Sequence, residues 1–569
     1  MSTIDDFRAA REFVLEPESD FEVERVEVGG MSLLGYVHAP QTMRELWLKA
    51  IGHGDAEYIV YLDERLSYKD AATQVAGFAN WMKLQGIGEG DRVAIAMRNN
   101  PEWILAHWAV NSIGAVVVGL NAWWIDTEMV YALHDSQPKL LVGDGQRLSI
   151  FAGIRDQFPE LKLVSVRDPA GSLPCTSWEQ AITTGGELPE ATIDTDSEAC
   201  IFYTSGTTGQ PKGALLTHRG CVANVMNVMA TGFINAIQST SQSGQSLDAA
   251  MEVPEFTVLL NTPLFHAAAT NCVVQPSSVN GGRIVMMHKW DPVEAMRLIE
   301  KEKVTNMSGV PTMTRDILTH PDRNNFNLST LQSIGGGGAA MQAELVSKVS
   351  TNMDNAMPAQ GYGMTEACGL ISYIAGKLFQ ERPNSVGPVV PTMEARCIDA
   401  DTNPLPAGEV GEICVRGTNV IKGYLNRPEA TAQTIVDGWL HTGDLGYFDE
   451  DGFLYVVDRA KDMILRGGEN IYSAEIENAI FDHQAVFECA AFAVPDDRLG
   501  EEVGAAVYLR GGAALDAVEL REHLATKISA FKIPRYLWFV TEPLPRNASG
   551  KFLKSELQVL LDPDSACRE

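Results

Sequence analysis

The segment that most constrains this chain is IFYTSGTTGQPKG, residues 201–213. Just before and into it runs an apolar and aromatic stretch, Cys200, Ile201, Phe202 and Tyr203, of the kind that forms a buried strand. Thr204, Ser205, Gly206, Thr207, Thr208 and Gly209 follow, four hydroxyls and two glycines in six residues, and then Pro211, Lys212 and Gly213. Such a loop suits a polyanion. Glycine allows close backbone approach and positive φ. Consecutive N–H groups form an anion-binding nest, the hydroxyls add donors, and Lys212 adds a point charge. The spacing Gly206-x-x-Gly209-x-x-Lys212 is not that of the P-loop, whose glycine is followed by four residues and then Gly-Lys-Ser/Thr. A flexible Ser/Thr/Gly turn is the plainer alternative, and the ordered Pro-Lys-Gly ending argues against it.

The string resembles the phosphate loop of the adenylate-forming superfamily, which holds acyl-CoA synthetases, beetle luciferases and peptide-synthetase adenylation domains. The resemblance recurs at further motifs in the same order and covers nearly the whole chain. It implies two steps. A carboxylate attacks the α-phosphorus of ATP to give acyl-AMP and pyrophosphate, and a thiol, usually that of CoA, then displaces AMP.

At 569 residues the chain exceeds what one core serves. It carries 45% hydrophobic and 21% charged residues, an ordinary globular composition. No apolar run reaches the roughly 18 residues of a membrane span, and MSTIDDFRAAREFV lacks the order of a signal peptide. Nine scattered cysteines without a C-x-x-C pair read as reduced core thiols, so a cytoplasmic location is expected. The net charge of −30 argues against nucleic-acid or anionic-membrane partners. It also means that ATP must be held by local loops, a few placed cations and Mg²⁺.

Residues 1–66 show no clear pattern. Ser67 reads as the cap of a helix with Val75, Phe78, Ala79 and Met82 on one face, ended by Gly86 and Gly88. Strands are expected over 91–97, 115–120, 140–142 and 163–166, with a helix over 101–113, an alternation that indicates parallel α/β layers without giving strand order. Trp123 and Trp124 read as core packing. Thr217 and His218 begin a helix, and the polar stretch 238–246 reads as an exposed loop. A strand is expected over 283–287, and Asp291 with Pro292 opens a helix.

The resemblance assigns the remaining site. His266, after Thr262-Pro263-Leu264-Phe265, would contact the acyl carboxylate or gate its pocket, although a lone histidine is more often a satisfied polar residue. Gly335 to Gly338 with Ala339 and Ala340 match a Gly/Ala-rich adenine segment; Gly338 and Ala339 would line it, and a wall without side chains would leave room for an extended acyl group. Gln360-Gly361-Tyr362-Gly363-Met364-Thr365-Glu366 matches the YGxTE loop. There Tyr362 would stack on adenine, Thr365 would bond the α-phosphate, and Glu366, with Thr208, would hold Mg²⁺. Ala367 to Gly369 would line the acyl pocket. Asp444 of Thr442-Gly443-Asp444 would accept both ribose hydroxyls.

The resemblance divides the chain into an AMP-binding domain over 1–458, α/β with layered and mostly parallel sheets, and a small, mobile α+β domain over 459–569. Arg459 would touch ribose or phosphate and Lys461 would be the hinge. Gly467 and Gly468 would meet the thiol-bearing arm of CoA, ahead of a helix over 474–481 and strands over 486–494 and 503–509. Lys551 in Pro545-Arg546-Asn547-Ala548-Ser549-Gly550-Lys551 matches the catalytic lysine that bridges the acyl carboxylate and α-phosphate. Since Lys551 and the CoA loop would serve one site, two domain orientations are expected.

Four functions compete at this stage. They are an acyl-CoA synthetase for fatty or other hydrophobic acids, an aryl-CoA ligase of the coumarate or benzoate type, a carrier-loading adenylation enzyme and a non-catalytic acyl-adenylate sensor. The short stretch after Lys551 weakens the third, and the full set Lys212, Glu366, Asp444, Arg459 and Lys551 argues against the fourth. Luciferase activity is a further alternative within the superfamily, and a light assay tests it. A homodimer is only a weak default.

Overall fold

Apolar strands alternating with helices fold here into two eight-stranded sheets, each parallel through its middle. The computed structural model describes residues 2–168, 173–204, 210–243, 256–353, 355–496, 498–547 and 552–568. In the first sheet the order is Gly423–Tyr424, Lys212–Thr217, Glu198–Thr204, Val116–Gly119, Arg92–Ala96, Leu140–Asp144, Lys162–Val166 and Thr176–Ser177. It is parallel from Glu198–Thr204 to its far edge and antiparallel through the three strands at the other end. The second runs Gly369–Ala375, Met357–Met364, Ser333–Gly336, Asn306–Gly309, Thr257–Leu260, Arg283–Met286, Glu57–Tyr61 and Glu64–Ser67. Only its two end pairs are antiparallel.

Between the layers lies Pro101–Ser112, whose every residue is buried, as a helix without a solvent face requires. Trp47 stacks on its Trp108 at 5.2 Å. Truncating a buried tryptophan of this kind to alanine costs about 3–5 kcal/mol. The expected caps form. Ser67 closes a capping box with Asp70 at the start of Tyr68–Leu84, and the Asp291 carboxylate accepts the Glu294 N–H at the start of Pro292–Glu302, with proline in the first turn.

Two sequence expectations change. Residues 238–243 continue the helix His218–Ser243 and are not an exposed loop; Gln238 and Thr240 are buried, while 244–246 lie outside the described residues. The N-terminal helix Thr3–Val14 packs there, and the Gln238 amide donates to the Thr3 carbonyl at 3.1 Å. By length and composition His218–Ser241 could cross a membrane, but 61% of its apolar window is buried inside the protein. Trp124 is core, edge-on to Tyr203, whereas Trp123 is 44% exposed, with the Arg98 guanidinium 4.5 Å above its ring.

A five-stranded antiparallel sheet, Met393–Ile398, Gly411–Gly417, Trp439–Phe448, Ile435–Val436 and Leu454–Arg459, follows. The chain then builds a separate six-stranded sheet with its own core. In it Val486–Asp496 pairs antiparallel with Gly500–Leu509, which runs parallel to Tyr536–Val540. Helices Ser473–Phe481 and Ala517–Ala525 pack into that core, so this domain is small and α+β.

Candidate active site

The strands Glu198–Thr204 and Lys212–Thr217, paired antiparallel, flank the candidate phosphate loop. Thr204 pairs with Lys212 in register, and the Thr204 hydroxyl donates to the Lys212 carbonyl at 3.4 Å. Tyr131 donates its phenol to the Pro211 carbonyl at 2.8 Å and anchors the exit. Ser205, Gly206, Thr207, Thr208 and Gly209 lie outside the described residues. Lys212 itself sits over the Tyr424 ring, its Nζ 4.3 Å from the centroid.

Tyr424 belongs to the adjoining edge strand, Ala214 being its register partner. Its hydroxyl donates to Glu366 Oε1 at 2.8 Å. Burial, and then the Glu366 carboxylate, push this phenol above its ordinary range, so it remains a donor. Glu366 lies in the short turn Thr365–Ala367, is buried, and accepts the Ile421 N–H on its backbone carbonyl. Among the described residues its Oε2 has no hydrogen-bond partner. A carboxylate with one oxygen fixed and the other open suits a hard cation such as Mg²⁺.

The ribose candidate is equally well built. Asp444 Oδ2 accepts the Tyr362 phenol at 2.7 Å, and Oδ1 lies 3.3 Å from Arg459 Nε. Arg459 is the register partner of Asp444 on the neighbouring strand. Burial and the adjacent Asp444 carboxylate hold the Tyr362 phenol protonated. The turn presenting Asp444 is braced from below. Glu412 accepts the Gly443 N–H on Oε1 at 3.2 Å and faces His441 Nδ1 through Oε2 at 2.9 Å. Thr442 donates to the Ile413 carbonyl. Glu412, Cys414 and His441 bring their ligand atoms within 4.8 Å of one another, but both Glu412 oxygens are engaged in holding this turn.

The candidate adenine segment is tied down by Gln360, which donates to the Ala339 carbonyl at 3.0 Å and accepts the Met341 N–H at 2.8 Å. Gly338 has φ +83°. A Cβ on Gly335 would lie 1.9 Å from the Ala359 carbonyl, and one on Gly336 would lie 2.0 Å from that of Gly309. The first two glycines therefore answer to the spacing of neighbouring strands rather than to an open slot. The next would also strike backbone, at Gly361.

His266 precedes the short helix Ala267–Ala269. Its ring lies 4.6 Å from that of Phe265, which meets Trp123 edge-on at 5.3 Å. Asn271 joins this segment to the Glu366 loop by donating to the Cys368 carbonyl at 2.9 Å. Asn224 joins it again, accepting Leu370 N–H and donating to the Asn271 carbonyl.

Around the expected hinge, Lys461 is exposed in a turn. Gly467 and Gly468, with φ +59° and +93°, form the tight turn between Ile464–Arg466 and Glu469–Ile471, a conformation that selects glycine at both places. Asp458, just before the turn, accepts the Ser473 hydroxyl at 3.1 Å and also its N–H. Lys554 donates to Ser473 Oγ at 2.6 Å and pairs with Glu477 at 2.7 Å. Burial raises the Asp458 and Glu477 carboxyls. Burial also pulls Lys554 down, but the two acids outweigh it. Lys551 lies outside the described residues, three positions before this lysine.

The site thus gathers Thr204, Lys212, Glu366, Tyr362, Asp444 and Arg459 from widely separated segments. Tyr424, Glu412, Asn224 and Asn271 were not legible in sequence, because each acts through a partner distant in the chain. Comparison with known proteins agrees with the motifs. Residues 46–425 match the family described as AMP-binding enzyme, and residues 475–551 match the AMP-binding enzyme C-terminal domain. A feruloyl-CoA synthase of Amycolatopsis sp is 36% identical over 87% of this chain and 93% of its own. A long-chain-fatty-acid–CoA ligase of Bacillus subtilis (strain 168) is 31% identical over 88% and 91%. The solved o-succinylbenzoate CoA synthetase of Bacillus subtilis, in complex with its acyl-adenylate intermediate, is 28% identical, covers 90% of this chain and 97% of its own, and superposes with a TM-score of 0.73.

Proposed function

Because the chain belongs to the AMP-binding enzyme family, we propose that it is an AMP-forming acid–CoA ligase acting on a hydrophobic carboxylic acid. One observation supports this above the others: the nucleotide groups are prearranged. Asp444 accepts the Tyr362 phenol and pairs with Arg459, and Tyr424 carries the Lys212 ammonium over its ring while its hydroxyl donates to Glu366.

In the first step a carboxylate oxygen attacks the α-phosphorus of ATP, and the bond to pyrophosphate breaks. The acid is already ionised near neutral pH, so no general base is needed, and catalysis is positioning and charge neutralisation. Tyr362 offers its face to adenine and Asp444 receives the ribose hydroxyls. Lys212 and the loop 204–209 take the phosphates, Thr365 bonds the α-phosphate, and Lys551 bridges the carboxylate and α-phosphate oxygens. His266 borders the carboxylate entrance. Bound at Glu366, with Thr208 beside it, Mg²⁺ would neutralise phosphate charge. In the second step the CoA sulfur attacks the acyl carbonyl, the thiol proton is lost, and AMP leaves. The domain boundary is placed at 458/459, with rotation about Lys461 bringing Gly467 and Gly468 to the CoA arm in place of Lys551.

For the acid, a medium- or long-chain fatty acid is the first reading. The likeness to a feruloyl-CoA synthase over most of both chains supports an aryl acid as the second. Mass spectrometry of a reaction with ATP, Mg²⁺, CoA and a pool of straight-chain, branched, aryl and polycyclic acids separates them. A fatty acyl-CoA product supports the first, and an aryl-CoA product the second. AMP esters without thioester would refute CoA as acceptor, and no product of either kind would refute the ligase reading for these acids.

A further inference from the structure

Lys212, Tyr424 and Glu366 come from three segments far apart in sequence, yet both charged groups meet the one tyrosine. The Lys212 ammonium lies 4.3 Å above the Tyr424 ring, and the hydroxyl at the far end of that ring is 2.8 Å from Glu366 Oε1. Tyr424 and Glu366 are each 7% exposed. The tyrosine is held firmly. Its N–H donates to Thr431 Oγ1 at 2.8 Å. On either side Lys422 N–H bonds the Leu215 carbonyl and Leu425 N–H that of Gly213. Ile421 N–H bonds the Glu366 carbonyl. Residues 421–425 thus clamp the strand that carries Lys212 and the turn that carries Glu366 into one unit.

We propose that Tyr424 is a positioning residue that sets Lys212 and Glu366 at a fixed separation, so that the phosphates and the metal of Mg·ATP meet a cation and a carboxylate already in place. The inference rests on the reading of Lys212 as a phosphate ligand and Glu366 as the metal carboxylate. The ring and the hydroxyl have separable duties: the ring face carries the ammonium, and the hydroxyl turns the carboxylate so that Oε2 is presented.

Tyr424→Phe keeps the ring and deletes the hydroxyl, while Tyr424→Leu deletes both. ATP binding to the full-length protein is measured by calorimetry in EDTA and across a Mg²⁺ titration, which reads the site without turnover. A hydrogen bond to a charged group is worth about 1.5–3 kcal/mol, so Tyr424→Phe is expected to raise the half-saturating Mg²⁺ concentration by about tenfold or more. Metal-free ATP binding should stay within about twofold, since the cation–π contact is retained. Tyr424→Leu, where it folds, should in addition weaken metal-free ATP binding severalfold. A wild-type Mg²⁺ profile in a folded Tyr424→Phe protein overturns the proposal. So does an equal loss with and without Mg²⁺, which is the mark of a merely structural tyrosine. Glu366→Gln serves as the control. If it leaves the Mg²⁺ profile unchanged, Glu366 is not the metal carboxylate, and the proposal falls with that assignment rather than on Tyr424 itself.

Discussion

Acidification should destabilise this protein through two core histidines, and the size of the effect follows from their surroundings. His107 is fully buried in the helix between the sheets. Its Nε2 lies 3.2 Å from the Gln275 amide nitrogen, which donates to Asn271 Oδ1 as well. Nε2 is therefore the acceptor and Nδ1 carries the proton. His218, where the phosphate-loop strand turns into its helix, accepts the Met43 N–H on Nδ1 at 3.2 Å. Charging either ring puts a second proton where a donor already points, inside apolar core. Burial accordingly lowers His107 from 6.5 to about 3 and His218 from 6.5 to about 4. The unfolded chain binds these protons and the folded chain does not. The stability is thus fully present above pH 6.5 and is lost as pH falls toward the folded values. At about 1.36 kcal/mol per pH unit, each histidine costs about 2 kcal/mol between pH 6.5 and pH 5.0. Denaturant unfolding followed by the fluorescence of Trp47, Trp103 and Trp108, all buried in this core, measures the loss at pH 7.5 and 5.0. His107→Gln and His218→Gln should each lose about 2 kcal/mol less than wild type over that interval, whatever the substitution costs at pH 7.5. The reasoning is refuted if wild type and both variants lose the same amount.

Three further outcomes are expected. Lys551→Ala should abolish acyl-AMP formation and largely spare thioester formation from supplied acyl-AMP; equal loss in both half-reactions would show that the lysine does not act at the adenylation step. Lys461→Pro, which stiffens the turn between the domains, should impair thioester formation more than adenylation, and equal impairment would remove the case for rotation at this point. Gly336→Ala places a methyl group 2.0 Å from the Gly309 carbonyl, so it should destabilise the large domain by about 3 kcal/mol or more. A thermal melt within a degree of wild type would show that the strands can move apart.

What the sequence disclosed and what it withheld divide along a physical line. Tyr362 to Glu366 and Thr442 to Asp444 stand out in the sequence because each is a short run whose residue types and spacing suit one chemical task; of Thr204 to Lys212, residues 205–209 lie outside the described residues. The helix caps at Ser67 and Asp291 were legible for the same reason, since a cap is a local hydrogen bond. Strand order was not, because it depends on pairings such as Ala214 with Tyr424, some two hundred residues apart. The same distance hid Tyr424 and Glu412. Polarity misled over 238–243, where the chain stays helical, Gln238 and Thr240 are buried, and the Gln238 amide donates to the Thr3 carbonyl. The glycines at 335 and 336 were recognised as unusual but read toward a ligand, while the structure assigns them to close strand packing.

A chain of net charge −30 must receive ATP without relying on its overall field, and the placing of Lys212 indicates how. A lysine in direct contact with Glu366 would form an ion pair, and phosphate and metal would each have to break it before binding. The Tyr424 ring stands between them. Lys212 rests on a π-face and, among the described residues, has no acidic partner within salt-bridge distance. Glu366 Oε1 accepts the hydrogen bond of a neutral phenol. The attraction of an aromatic face for a cation is worth only about 0.5–2 kcal/mol. The ammonium therefore gives up little when a phosphate arrives. Opposite charges that would cancel in contact are kept apart, oriented and open, which is the electrostatic preorganisation that phosphoryl chemistry requires. Arg459 contrasts with this. It sits 3.3 Å from Asp444, its charge already partly matched.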